Sequence, residues 1–395
     1  MKLFRTLPTS RLAALIAAVA IVLVGGTAIA VAASGGSGST PAPKPLAQAL
    51  HDALTASAPT GITARITFTN NLFPSGALVG AAGSALMSGA NGRLWLNANG
   101  GRLELQSDAG DVQVVWNDTK LTIYDASSNT AYTVDLPKQA TDSGTTTTHA
   151  APTLDEISTF LTDFAKHWKV SDAQPSNVAN EPAYTVDVSP SHDGGLLGSA
   201  ELAWDASQGV PLKVAIYPQG SSAPALALEA TRISFGAVPD SDIAVSPPAG
   251  AKIVDLSSQA SGGGATGSTG PSVSGLAAVQ AAVSFPVVAP DTLVGLPRQD
   301  VSLVGPQDSH AAVVVYGQGL GAIVVLERAK DASGAQSGTS SPLSALPTVS
   351  LGGVTAHELS TQLGTVLGWD AGGVSYVLAG SLPSGAAEAA ARALK

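Results

Sequence analysis

Alternation of apolar and polar residues constrains this chain more than any other feature. Ile66/Phe68, Leu103/Leu105, Val112/Val114/Trp116, Leu121/Ile123 and Tyr132/Val134 each skip one residue. The pattern resumes in Tyr184/Val186/Val188, Leu202/Trp204, Leu212/Val214/Ile216, Leu226/Leu228 and Ile233/Phe235. Polar residues such as Thr67, Glu104, Gln113, Thr122, Asp187, Glu201, Lys213 and Glu229 stand between them. Successive side chains of a strand point to opposite faces, so this spacing predicts strands with one buried and one wet face. Turn-forming clusters separate the runs: Ala98-Asn99-Gly100-Gly101, Asp108-Ala109-Gly110-Asp111, Asn117-Asp118 and Asp205 to Gly209. A long antiparallel sheet is the simplest reading.

Two segments break the period. Leu46, Ala49, Leu50, Ala53 and Leu54 share one face of a predicted helix over Leu46–Ala56. Thr153 and Glu156 form a capping-box pattern, and Leu154, Ile157, Leu161, Phe164 and Trp168 follow at helical spacing. This predicts a helix over Thr153–Trp168 whose apolar stripe covers the sheet.

Leu12 to Ala33 is a run of 22 residues without charge, preceded by Lys2, Arg5 and Arg11. A helix of that length spans roughly the 30 Å hydrocarbon core of a bilayer. The flanking bases place the amino terminus in the cytoplasm and the bulk of the chain outside it. The alternative is a cleaved signal peptide, for which Ala28-Ile29-Ala30 and Ala30-Val31-Ala32 supply cleavage sites. Either way the chain is exported, as a single-pass protein of the cytoplasmic membrane or as a secreted one.

Two stretches rich in Gly, Ser and Pro read as tethers: Ser34 to Pro45 and Ser257 to Ser274. They divide the chain into an anchor (residues 1–33), a linker (34–45), a β-rich domain (46–256), a second linker (257–274) and a small α+β domain (275–395). In the last, a helix is expected over Ser274–Val283. Strands are expected at Ala311–Tyr316, Gly321–Arg328, Val354–Leu359, Thr365–Asp370 and Val374–Gly380, and an Ala-rich helix from Ser384.

Charge and composition exclude several functions. Acids outnumber bases 29 to 19, and three of the bases precede the apolar run. The exported part therefore repels nucleic acid, and no nucleic-acid partner is expected. Cysteine is absent, which removes disulfides, thiolate metal sites, cysteine nucleophiles and a lipid-bearing Cys.

Catalytic and cofactor motifs fail on inspection. Gly262 to Gly267 fits GxGxxG literally, but no strand precedes it and no helix follows. His357-Glu358-Leu359-Ser360-Thr361 begins like a zincin helix, but its fifth residue is Thr361 and its setting reads as a strand. The six histidines (His51, His149, His167, His192, His310, His357) show no pair at ligand spacing. No GxSxG elbow occurs. Asp155, Glu156 and Asp163 read as the solvated side of a helix rather than as glycosidase acids. No catalytic residue, metal site or cofactor is expected, and the chain reads as a binder rather than an enzyme.

The β-rich domain resembles the actinobacterial members of the lipoprotein-carrier (LolA-like) superfamily. The residues that carry the likeness are Gly61 to Asn70 (GITARITFTN), Asn117 to Thr130 (NDTKLTIYDASSNT), Leu136-Pro137 and Glu181 to Pro190 (EPAYTVDVSP). Leu197 to Asp205 (LGSAELAWD), Gly209 to Tyr217 (GVPLKVAIY) and Pro247 to Val254 (PPAGAKIV) match in the same order. Similar folds occur in the sigma-factor regulator RseB and in mycobacterial lipid-carrying lipoproteins. Val273 to Leu394 resembles a small envelope domain found on anti-sigma-like membrane proteins, through FPVVAP (Phe285 to Pro290), the Tyr316 strand and Gly364 to Leu382.

The resemblance implies an α+β protein: a half-open antiparallel β-barrel with helical cover around an apolar cavity, then the small α+β domain. Such a cavity shields an acyl chain or a lipidated protein from water, at about 0.8 kcal/mol per buried CH₂. Phe68, Leu96, Leu105, Val114, Trp116, Ile123, Val134, Val186, Trp204 and Ile216 are its expected lining. Leu72, Phe73, Leu78, Leu86 and Met87, in the Gly/Ala-rich stretch Asn71–Ala90, are candidates for a lid. The implied role is a membrane-tethered carrier or handover factor. An envelope-stress regulator binding an anti-sigma factor or another membrane protein is the alternative, and a structural envelope module the third.

Overall fold

Gly61–Asn70 forms the strand from which the first sheet is built outward in both directions. The computed structural model describes residues 39–72, 85–136, 152–192, 194–257, 273–305, 310–330 and 346–394, with side chains 87 and 88 left out. The run Leu12–Ala33, residues 34–38 of the first linker, residues 258–272 of the second, Phe73 and Leu78 lie outside the described residues, as does the side chain of Met87. No helix among the described residues is long and apolar enough to cross a membrane.

In chain order the first half contains α1 (Leu46–Thr55), β1 (Gly61–Asn70), α2 (Ala85–Ser88), β2 (Ala90–Asn97), β3 (Gly100–Ser107), β4 (Gly110–Trp116), β5 (Lys120–Asp125) and β6 (Thr130–Asp135). Then come α3 (Leu154–Phe164), β7 (Trp168–Val170), β8 (Gln174–Val178), β9 (Glu181–Pro190), β10 (Leu197–Asp205), β11 (Pro211–Pro218), β12 (Leu226–Phe235), α4 (Asp240–Ile243) and β13 (Lys252–Asp255). All thirteen strands join one sheet in the order β13-β6-β5-β4-β3-β2-β1-β12-β11-β10-β9-β7, with β8 also on β9.

The turn chemistry follows the sequence. Asn117 Oδ1 accepts the N–H groups of Thr119 and Lys120, both at 2.9 Å, and closes the β4–β5 turn. Asp205 Oδ1 accepts those of Ser207 (2.8 Å) and Gln208 (2.6 Å) between β10 and β11. A sheet this wide, with the usual right-handed strand twist, curls on itself. Bulges at Arg65/Ile66, Leu197/Ser199 and Ala203/Trp204 add curvature. The end strands β13 and β7 do not pair with each other, so the result is an open, curled half-barrel.

Three expectations need correction. The helix predicted over Thr153–Trp168 stops at Phe164, and Trp168 opens β7 instead. Its stripe does not lie over the sheet: only Ile157 is buried, and α3 packs chiefly on α1. The first tether is not wholly free, because Ala42 C=O accepts a 2.6 Å hydrogen bond from Tyr184 Oη, and Lys44 pairs with Asp52 of α1 at 2.5 Å. Finally, β13 pairs parallel to β6, the one departure from antiparallel order in this sheet among the described strands.

The second half contains α5 (Leu276–Ala282), β14 (Thr292–Leu293), β15 (Leu296–Val304), β16 (Ala311–Tyr316), β17 (Ile323–Ala329), β18 (Thr348–Ser350), β19 (Thr355–Thr361), β20 (Gly364–Ala371), β21 (Val374–Gly380) and α6 (Ser384–Ala393). Its strands form a separate sheet, β14-β15-β16-β17-β21-β20-β19-β18. His357 to Thr361 lies on β19, so the zincin-like string is strand, as expected. Val279 of α5 and Ala387, Ala390 and Ala391 of α6 pack into one apolar cluster with this sheet. The two halves meet through polar contacts. Leu196 N–H donates to Ser381 Oγ at 2.9 Å, and Gln362 Nε2 donates to Asn71 C=O at 2.8 Å. Gly195 permits the first: its φ is +58°, and a Cβ there would collide with Ser381.

Candidate functional site

Strand register decides which side chains share a face, because directly opposed residues point the same way. From β1, Ile62 opposes Leu96, Ala64 opposes Leu94 and Phe68 opposes Ala90 of β2. Leu94 opposes Leu103, which opposes Val114, which opposes Ile123, which opposes Tyr132. In the other direction Phe68 opposes Leu228, which opposes Val214, which opposes Leu202, which opposes Val186. One apolar face therefore runs unbroken from β6 to β9. All ten expected lining residues lie on it, Phe68, Leu96, Leu105, Val114, Trp116, Ile123, Val134, Val186, Trp204 and Ile216 alike.

The opposite face carries the charge. Lys213 Nζ lies 2.9 Å from Glu201, whose other oxygen accepts from Tyr217 Oη at 2.9 Å. Burial lowers the affinity of Lys213 for its proton, but Glu201 more than offsets it, and the ammonium is held above its ordinary range. Arg102 pairs with Glu104 and stacks 4.9 Å over the Trp95 ring.

The ten residues do not share one environment. Val186 and Trp204 are buried with Tyr184 beneath α1, against Ala49, Leu46 and Leu50. α1 already occupies that flank, so those two positions offer no open wall. Leu105 is buried beside Val112, Ala90 and Ala85 of α2. The remaining seven are half-buried. Gly101 shapes this open part. It faces Leu96 on one side and Trp116 on the other, and a Cβ there would overlap the Trp116 ring and lie 2.5 Å from Leu96 Cδ2. The indole lies across the glycine and widens the flat apolar floor. Toward β6 the face grows wetter, and Tyr132 is 37% exposed.

Of the lid candidates within the described residues, Leu72 is half-buried just beyond β1, with its N–H on Asn70 Oδ1 at 3.0 Å. Leu86 sits on α2, and its C=O accepts from Asn70 Nδ2 at 2.7 Å. Asn70 thus ties both ends of that stretch to the end of β1, a link that only the amide side chain hinted at in the sequence. A hollow of about 550 Å³ lies at this rim, lined by Thr67, Thr69, Asn70, Asn91, Gln106 and Asp108 among others. It is polar, and of the ten lining residues only Phe68 touches it.

No group of three or more His, Asp or Glu side chains suited to a metal occurs among the described residues. His357 Nδ1 instead lies 3.2 Å from Leu346 C=O, and His310 Nδ1 lies 3.3 Å from Ala282 C=O.

Fold and site together define a mostly β protein with a curled, open half-barrel and an apolar face. Solved structures similar to it include MucB in complex with the periplasmic part of MucA, at 17% identity and a TM-score of 0.38, covering 89% of this chain and 96% of that one. The MucA/MucB complex of Pseudomonas aeruginosa gives 18% identity and a TM-score of 0.38, with 87% and 95% covered. A LolA superfamily protein of Nitrosomonas europaea gives 10% identity and a TM-score of 0.21, with 51% of this chain and 98% of that one covered. No protein-family description matches the chain, and neither does any curated protein.

Proposed function

We propose that the chain binds a lipid or a lipidated protein on the apolar face of its first sheet, outside the cytoplasmic membrane, as a tethered carrier or handover factor rather than an enzyme. The observation that carries this is the middle of that face, which the described helices leave half-buried. α1 covers the β9–β10 flank and α2 the Leu105–Val112 corner, while Leu94, Leu96, Leu103, Val114, Trp116 and Ile123 between them remain half-buried. A sheet face of that chemistry gains from any hydrocarbon laid on it, at about 25 cal/mol per Å². Organic extraction of purified protein followed by mass spectrometry should release a lipid, and a fluorescent fatty acid should bind. Protein that is reproducibly lipid-free and takes up no such probe overturns the reading.

A second reading, a regulator of another membrane protein, draws on the joint between the halves. Asn71 and Leu196, at the rim of the first sheet, bond directly to Gln362 and Ser381 of the second half. A guest that moves this rim changes the pose of the second half. Crosslinking in membranes should then trap one specific protein.

A further inference from the structure

The helix expected to cover the sheet instead exposes Phe160, the outer ring of a stack whose other two members, Phe164 and Trp168 of β7, are half-buried. Phe160, Phe164 and Trp168 recur at every fourth residue and stack in a ladder. Ring centroids are 5.6 Å apart for the first pair and 5.7 Å for the second, with planes 20° and 8° from parallel. Phe160 is 60% exposed and Leu154 is 40% exposed. A lone exposed apolar residue is ordinary, but a continuous stacked face is not. Beside Phe160 lies a hollow of about 410 Å³ whose other walls are Asp155, Glu156, Thr159 and Asp163. Three of its five lining residues are acidic and none is basic.

This helix is held in shape without the sheet. Thr153 N–H donates to Glu156 Oε2 at 2.8 Å, and Glu156 N–H donates to Thr153 Oγ1 at 3.3 Å. The backbone bond from Thr153 also keeps the Glu156 carboxyl below its ordinary range, so it stays charged. Lys166, which pairs with Asp163 at 2.6 Å, and Lys169 lie beyond the carboxyl end, so the acidic character belongs to the half from Leu154 to Asp163.

We propose that this face of α3, centred on Phe160, docks a basic amphipathic helix of a partner protein. The aromatic ladder supplies apolar contact, and the acidic walls select Lys and Arg at its edge. A second copy of this chain fits poorly, since a parallel two-fold contact would set Asp155 and Asp163 against their own copies and an antiparallel one would bring Asp163 close to the other copy's Glu156. An anionic membrane surface is repelled by the same charges. The site is separate from the lipid face, and either proposal can fail alone.

The test titrates the whole protein into a fluorescently labelled Leu/Lys helix and into a scrambled peptide of the same composition that has lost its amphipathic face, by anisotropy. The amphipathic helix should bind at least ~10-fold more tightly than the scrambled one, and Phe160→Ser should lose roughly 10-fold. Asp155→Asn with Asp163→Asn should lose a few-fold, on the order of one exposed ion pair each, and flatten the salt dependence. Circular dichroism confirms that each variant stays folded, and a folding failure at Phe160 is replaced by Phe160→Gln. Three results overturn the proposal: no binding of the amphipathic helix, equal binding of the scrambled peptide, or wild-type affinity in the Phe160 variants. Self-association or binding to anionic vesicles that is lost with Phe160 also overturns it, in favour of the other occupants.

Discussion

The two sheets of this molecule are written in the same alternating code and end differently. In the second, Val314, Val325, Leu367 and Leu378 are fully buried in one apolar cluster that also takes in Val279 of α5 and Ala387, Ala390 and Ala391 of α6, which packs on β20 and β21. Alanine lets a helix approach closely and leaves no gap. In the first, the equivalent inward residues Leu94, Leu103 and Val114 are half-buried, since α1 and α2 reach only its margins. Alternation tells which side of a strand avoids water. It does not tell what, if anything, completes the layer. Among the described residues, the second sheet is closed by its own helices, and the middle of the first is left half-buried.

The closed sheet also contains the odd charge. Glu327 of β17 is fully buried and points to the packed face opposite Tyr376. One carboxyl oxygen accepts Val288 N–H at 2.9 Å, and the other makes no hydrogen bond. Burial pushes this carboxyl up to about 7, and the bond from Val288 only partly opposes it. Burial likewise lifts Tyr316 to about 12.

The contrast can be broken most forcefully at its closed side. Leu367→Ala should cost about 3–5 kcal/mol in denaturant unfolding of the second half, the usual range for a fully packed leucine. A loss below that at Leu367 would mean that the layer under α6 is looser than the burial indicates. Glu327→Gln sharpens the comparison through pH. Below about pH 4.5 both folded and unfolded carboxyls hold their protons. As pH rises toward 7 the unfolded chain releases its proton while the folded one retains it, so stability falls, then levels off. The Gln variant should abolish this slope and be about 2 kcal/mol more stable above pH 7, somewhat less than the full linkage because its amide has no partner for both protons.

On the open side effects should be smaller. Leu103→Ala should cost about 2 kcal/mol, less than at Leu367 because this leucine is only partly buried, yet it should weaken uptake of a fluorescent fatty acid several-fold. Stability loss as large as at Leu367 would show that the face is closed after all. Ile253→Thr, on an exposed residue, should stay within about 0.5 kcal/mol by thermal melts.

Much of this was legible in the residues. Period two put all ten chosen residues on one face, and the turn signals at Asn117 and Asp205 behave as such. Three things escaped. Lys252–Asp255 is too short and too isolated to announce a strand parallel to β6, and only tertiary contact creates it. The Phe160–Phe164–Trp168 spacing looked like a buried stripe, because helical periodicity reports a face and not its partner; the rings stack on each other instead. Trp168 keeps the helical rhythm but falls past the turn at Lys166 and His167 and joins a strand. Glu327 also follows Ile323 and Val325 at a spacing of two, yet an acid near the end of a strand does not announce burial, and only the packing of this sheet shows it.

The seam of the first sheet has a consequence for how the chain assembles. Strands β2 to β6 are successive neighbours, as are β9 to β12, so each set can zip from nearby turns. The two meet only where β1 lies beside β12, through Ile62 opposite Phe235 and its successors. Loop closure over that span is slow compared with hairpin formation. During synthesis β1, paired on one side with β2, must therefore wait for β12 far downstream, with the N–H and C=O groups of its other edge unpaired until that strand arrives.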